Sequence, residues 1–313
     1  MERVETEEVE KSEISNLERQ EEAGEENLNI NNLPEGCISD ILSLTTPADA
    51  CRSSLFSALF KSAADSDALW KKFLPADYQQ IVSRAFPPLS CSTSSTSPVN
   101  FYSKKELYYR LSSNPILIDG GLKSFQLDRL SSNPILIDGG LKSFQLEKCT
   151  GKKCIMLGAK DLGIAWGDDP RYWRWPSFPG SRFVEVAELN WVCWLAIRGK
   201  LETRLLSPKT LYGAYLVLKL TNNAYGFNKP LKAGVEAVGG GISVCSEERQ
   251  EDQYFPQVRE DGWMEVELGH FYNEEEEENM AKEVHMSLLE TERLWRKSGL
   301  VIQGIELRPK VDI

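Results

Sequence analysis

Histidine is nearly missing from this chain: His270 and His285 are the only two among 313 residues. That scarcity argues against a histidine-ligated metal centre and against Cys-His or Ser-His chemistry, which needs an imidazole beside the nucleophile. No G-x-S-x-G elbow and no H-E-x-x-H pair occurs, so hydrolase readings lack a nucleophile or a metal. Cysteine is thin, with seven spread from Cys37 to Cys245. Cys149 and Cys154 lie five apart, but without nearby histidines they read as two thiols rather than half of a zinc site. No metal and no cofactor is expected. There is no run of eighteen apolar residues, no N-x-S/T acceptor and no basic, apolar leader, so the expectation is a reducing, intracellular setting with no membrane span. No basic stripe is present to face phosphates, which excludes a nucleic-acid binder on this reading.

What is present begins with acid. The net charge is −11, yet residues 1–30 hold eleven Glu against three basic residues. Residues 1–30 therefore read as a disordered acidic tail. Residues 31–85 carry helical spacing: Ile38, Ile41 and Leu42 share a face, Thr46-Pro47 offers a cap and a first-turn proline, and Asp67 precedes a helix with Trp70, Phe73 and Leu74 on one side. Three short helices are predicted there; so small a module either leans on a partner or forms a small self-contained helical domain, and patterning alone does not choose between them. Residues 86–100 are rich in Ser, Thr and Pro and read as a linker. Residues 101–147 hold a short helix and a tandem duplicate, 110–128 and 129–147, that differ only at Asp128 against Glu147. Residues 148–313 hold seven of the eight tryptophans and several short strand-like runs, which predicts a mainly antiparallel β-sandwich of jelly-roll type. AKEVHMSLLETERLWRK suits a helix by propensity, with EVHMSLLE as a strand the preferred reading, and Glu274 to Glu278 reads as a solvated loop.

Few motifs suggest chemistry. The glycines at 239–241 lack a following Lys-Ser/Thr and read as a bulge, not a phosphate loop. Asp168 and Asp169 are adjacent, without the separated partner a glycosidase needs. The densest cluster is WGDDPRYWRWP at 166–176. Trp166, Tyr172, Trp173 and Trp175, interleaved with Asp169 and Arg171, suit a flat polar ligand with C–H faces, such as a sugar. The same rings equally suit the core of a small β domain.

The stretch LPEGCISDILSLTTPADACRSSLFSALFKSAADSDALWKKFLP resembles an F-box, through Leu33-Pro34, Ile38, Ile41-Leu42, Pro47, Phe60 and Trp70. GKKCIMLGAKDLGIAWGDDPRYWRWPSFPGSRFVEVAELNWVCWLAIRGK and GLVIQGIELRPK resemble the phloem-protein-two-like, or Nictaba-like, lectin domain of plants. The resemblance implies an α+β chain, a three-helix F-box followed by a lectin domain. It implies a non-catalytic substrate-recognition subunit of an SCF-type ubiquitin ligase in cytoplasm and nucleus. Its partners would be a Skp-type adaptor, through it the cullin and RING subunits, and a target protein bearing an N-glycan or chitin-like oligosaccharide. Leu33, Pro34, Ile38, Ile41 and Leu42 would contact the adaptor, and Trp70 would hold the helices together. Trp166 and Trp173 carry over as sugar-binding positions, with Tyr172, Trp175, Asp169 and Glu306 as further candidates. The alternative is a free-standing lectin with a vestigial F-box, for which Phe56, at a typically smaller position, leaves room. The family pattern has one copy of the duplicated segment. One copy is therefore expected to dock and the other to form an extra surface hairpin or loop.

Overall fold

The computed structural model describes residues 30, 33–86, 103–118, 141–228, 231–238, 242–245, 256–274 and 282–310. The acidic tail to Asn29, the 239–241 glycines, most of the glutamate run and most of the Ser/Thr/Pro stretch lie outside them.

Five short helices open the described chain where three were expected: α1 (Glu35–Leu42), α2 (Pro47–Ser53), α3 (Ala58–Asp65), α4 (Asp67–Phe73) and α5 (Tyr78–Ser83). Hydroxyl caps set the starts of α2, α3 and α4. Thr46 accepts from the Asp49 N–H at 3.1 Å, with Pro47 in the first turn. Ser57 accepts from the Phe60 N–H and so splits the expected second helix in two. Ser66, not Asp67, caps α4, accepting from the Leu69 N–H. The Asp67 carboxylate instead takes the Lys104 N–H at 2.7 Å, just before α6 (Lys104–Ser113).

The β domain is a sandwich in which the described strands pair antiparallel. Its large sheet runs β1 (Ala85–Phe86), β2 (Ile116–Ile118), β3 (Lys142–Leu146), β4 (Lys153–Gly158), β15 (Ser298–Pro309), β9 (Thr210–Tyr225), β13 (Met264–Asn273) and β11 (Ile242–Cys245). β6 (Trp173–Arg174) pairs β7 (Ala187–Leu189), which pairs β15, and β12 (Gln257–Val258) pairs β13. The small sheet runs β10 (Lys232–Val238), β14 (Glu283–Glu290), β8 (Leu195–Glu202) and β5 (Gly163–Ile164). β14 is the expected EVHMSLLE strand, and its alternating burial fits one buried face. Between the sheets pack Leu157, Ile197, Leu216, Phe271, Met286 and Ile305. The outer face of the large sheet has its own smaller cluster: Met156, Phe183, Val186, Val217, Trp263 and Val301.

The helices are not a separate body hung on a linker. β1 follows α5 directly and pairs with β2, so the helical module runs into the sheet. α6 then returns against Trp70, whose ring lies 5.1 Å from Tyr108 and 5.5 Å from Tyr109. Tyr108 donates its hydroxyl to the Glu147 and Lys148 carbonyls, and Lys153 reaches Asp77 at 2.8 Å. One continuous apolar core therefore runs from Ile38 to Leu307. Among the described residues, those on either side of the boundary expected at 86–100 therefore belong to one body rather than two.

The duplicate resolves differently from expectation. β2 comes from the first copy and β3 from the second, paired Ile116 to Phe144 and Ile118 to Lys142. Each copy thus supplies one strand to a single slot. The ends dictate this division. β2 follows α6 closely, and Gln145 donates to the Ser112 carbonyl at 2.8 Å. β3 leads into a turn in which the Glu147 carboxylate accepts from the Cys149 and Thr150 N–H groups and the Thr150 hydroxyl. The one residue that differs between the copies sits at that turn. Deleting 119–137 keeps both strands and Glu147 while leaving Ile118 joined to Asp138-Gly139-Gly140. Shortening the 23-residue connection 119–141 to four residues is worth about 1.5 kcal/mol of loop-closure entropy. The expected result is a melting temperature raised by a few degrees with reduced aggregation. Loss of cooperative unfolding in the deletion chain, followed by calorimetry, would refute it.

Candidate functional sites

The helical module leaves several apolar side chains in solvent. Ile38 and Leu42, expected at an adaptor surface, are buried in the core, because α1 turns that side onto α3. Leu33, Pro34 and Ile41 do reach solvent. Three residues outside the predicted set are more exposed still: Leu44 at 87%, Leu55 at 85% and Phe56 at 77%. These side chains sit in the four-residue links on either side of α2, 43–46 and 54–57, and Phe56 is steadied edge-on by Phe60. The readable signal was Leu-Phe between serine caps, where the helical pattern breaks.

The aromatic cluster is built on the turn after β5. Gly167 and Asp169 donate their N–H groups to the Ile164 and Trp166 carbonyls, and Trp166 sits at φ +55°. Two indoles staple this turn from beneath: Trp173 donates to the Ala165 carbonyl at 3.1 Å and Trp175 to the Gly167 carbonyl at 2.9 Å. Each reaches back eight residues, and Trp166 stands between the two anchored carbonyls. Trp173 is 1% exposed and belongs to the core, so it offers no face to a ligand and its assignment to sugar contact is corrected. Trp175 is half-buried, with the Lys160 ammonium 4.0 Å from its ring. Asp169 spends its carboxylate on the Arg171 N–H at 2.9 Å and on the guanidinium at 2.6 Å, which holds its pKa below the usual value. It fixes the turn.

Exposed Trp166 and Trp191 flank half-buried Tyr172 in one row of rings drawn from two segments. Tyr172 lies 5.5 Å from Trp166 and 5.3 Å from Trp191, ring to ring. Asn190 docks Trp191 there, donating its N–H to the Tyr172 carbonyl and its amide to the Pro170 carbonyl. The Arg296 guanidinium lies 5.8 Å from the Trp191 ring and closes the row. Beneath it, fully buried Lys297 donates to the Cys193 and Trp295 carbonyls and to Glu290, pinning the segments that carry Trp191 and Arg296. Trp191 and Arg296 escaped the sequence reading because no local spacing links them to the 166–176 turn.

Glu306 lies elsewhere. It faces the outer side of the large sheet, where Arg182 and Arg259 each donate to it at 2.7 Å and Arg308 at 3.2 Å. Those guanidiniums pull its pKa to about 2 against the opposing effect of burial. With both oxygens occupied and 4% exposure, Glu306 is a structural anion, and its assignment to the sugar site is corrected. Among the described residues no group of His, Cys, Asp and Glu is arranged to hold a metal ion, and no helix is long and apolar enough to cross a membrane.

These features define a class: a short helical module with exposed apolar side chains, fused to an antiparallel β-sandwich that bears an aromatic row. Residues 152–309 match the phloem protein 2 family. The F-box protein PP2-B10 of Arabidopsis thaliana is 43% identical over 284 residues, covering 88% of this chain and 92% of its own length. The F-box protein VBF of the same plant is 36% identical over 310 residues, covering 89% of this chain and 99% of its own. A family 35 carbohydrate binding module from Clostridium thermocellum aligns with a TM-score of 0.29 and 12% identity over 49% of this chain and 96% of the module, a likeness too slight to carry weight. The chain belongs to the plant phloem-protein-two-like F-box family.

Proposed function

We propose that this protein is the substrate-recognition subunit of an SCF-type ubiquitin ligase, working in cytoplasm and nucleus. Its helical face docks a Skp-type adaptor, which links it to the cullin and RING subunits. The observation that carries this reading is the exposure of Leu44, Leu55 and Phe56, beside Leu33, Pro34 and Ile41, on one small module. Covering each such side chain is worth ~1.5–3 kcal/mol, and a few of them suffice as hot spots. Ubiquitin transfer belongs to the other subunits, so the chain itself carries no catalysis. Titration calorimetry of the full chain with a Skp-type adaptor tests it. The double variant Leu55→Asp/Phe56→Asp is expected to abolish binding without lowering the melting temperature, since both side chains are exposed. Binding unaffected by that change, or no binding by the folded parent, would overturn the reading and leave the aromatic row as a lectin site standing alone.

The aromatic row supplies target recognition by taking the glycan of a modified protein, an N-glycan core or a chitin-like oligosaccharide. Support comes from three contiguous rings that remain accessible on a rigid turn, the kind of surface on which sugar C–H faces pack. Trp166→Ala and Trp191→Ala are each expected to weaken an N-acetylglucosamine oligomer about tenfold, ~1.4 kcal/mol, with folding intact. Equal binding by both variants and the parent would remove the rings from the site.

A further inference from the structure

We propose that the aromatic row selects an acidic saccharide, a chain carrying a uronate carboxylate, and that Arg296 is the residue that reads the charge. The proposal rests on the sugar reading above. Its basis is a local count of charges. Arg171 is matched by Asp169, Arg174 by Glu188, Lys297 by Glu290 and Lys232 by Glu292. Arg296 has no carboxylate partner among the described residues, although it is exposed and lies over an accessible ring. Arg293, in the same turn, is also exposed, and its backbone N–H rather than its side chain engages Glu290.

The guanidinium is carried on an anchored backbone. Trp295 on one side donates its indole N–H to the Gly226 carbonyl at 2.8 Å. Lys297 on the other exchanges two backbone hydrogen bonds with Val192, at 2.7 and 2.9 Å. A fixed stem lowers the ordering cost of each new contact, and the planar fork of arginine matches a carboxylate in bidentate geometry. The opposite end of the row carries Asp168, an exposed carboxylate next to Gly167. An anionic ligand is therefore oriented, with its carboxylate at the Trp191 end and a neutral ring over Trp166.

The test is calorimetry of the full chain with three probes: a galacturonate oligomer, the same oligomer fully methyl-esterified, and a neutral N-acetylglucosamine oligomer. The ester removes the charge and keeps the skeleton. The free acid is expected to bind about fivefold tighter than its ester at low salt, the scale of one solvent-facing ion pair. That preference should vanish in Arg296→Gln and fade in high salt, while Arg296→Gln keeps the parent's melting temperature. Equal affinity for acid and ester, or a preference that survives Arg296→Gln, overturns the proposal. If none of the three sugars binds a chain that still binds the adaptor, the sugar site itself is removed, and this proposal with it.

Discussion

Trp70→Ala is expected to destabilise the whole protein by about 3–5 kcal/mol, the usual cost of emptying a buried aromatic site. Trp70 is fully buried and donates its indole N–H to the Ala64 carbonyl at 2.7 Å. Its ring touches Phe73 on its own helix and Tyr108 and Tyr109 on α6. Tyr109 meets Cys51 in turn, at 3.0 Å between hydroxyl and thiol. The residue therefore joins the N-terminal helices to α6, and α6 to the sheet through Tyr108. If the core is one cooperative unit, calorimetry should give a single transition displaced downward, with adaptor binding lost at a lower temperature than in the parent. Two transitions, the upper one unmoved, would show that the sandwich folds independently of the helices. Trp70→Phe keeps most of the volume and loses only the Ala64 bond, so it should recover most of the difference.

The sequence reading assigned Trp70 to joining three helices, and the structure extends its reach to the sandwich. The extension was hidden because it depends on Tyr108 and Tyr109, which sit beyond a low-complexity stretch that reads as a spacer. Local signals were legible: Thr46-Pro47, the EVHMSLLE strand and the tryptophan-rich turn all fell where spacing placed them. Side-chain direction was less so. Ile38, Ile41 and Leu42 share a helical face by count, yet a short helix on a small core buries two of the three and leaves Ile41 outside. At the turn, Trp166 and Trp173 look equivalent as letters. Their hydrogen bonds separate them, since only Trp173 sends its indole N–H back into the fold. Residue type announced an aromatic site, but long-range pairing decided which rings face solvent, and it brought in Trp191 and Arg296 from outside the motif.

The duplication carries a similar lesson about ends and middles. Two near-identical segments have the same local preferences, so nothing inside either copy chooses which strand is used. The choice comes from what each copy is tied to: α6 before the first, and the Glu147 turn after the second. Retaining Glu147 rather than Asp128 in a single-copy chain should matter, because the longer side chain spans both N–H groups of that turn.

Glu306→Gln is expected to cost about 3–5 kcal/mol at neutral pH, the penalty for breaking a buried ion pair from one side. Arg182, Arg259 and Arg308 converge on Glu306; Glu265 also pairs Arg259 and Arg308 and Asp261 also pairs Arg259, but Arg182 has no other carboxylate among the described residues. The pH dependence follows from the same geometry. Glu306 titrates near 2 in the folded chain against an ordinary value of 4.5, and Glu265 is lowered as well by Arg308 and Arg259. A lowered folded pKa means that the stabilisation is fully present above pH 4.5 and is lost as pH falls through 4.5 toward 2. For Glu306 that loss is roughly 3 kcal/mol, so urea midpoints of the parent should drop steeply across this window. Glutamine cannot titrate. The variant should start lower at pH 7 and decline less below pH 5, so that the two stability curves converge in acid. Parallel curves over that range would mean that Glu306 is not the anion on which the outer face of the sheet depends.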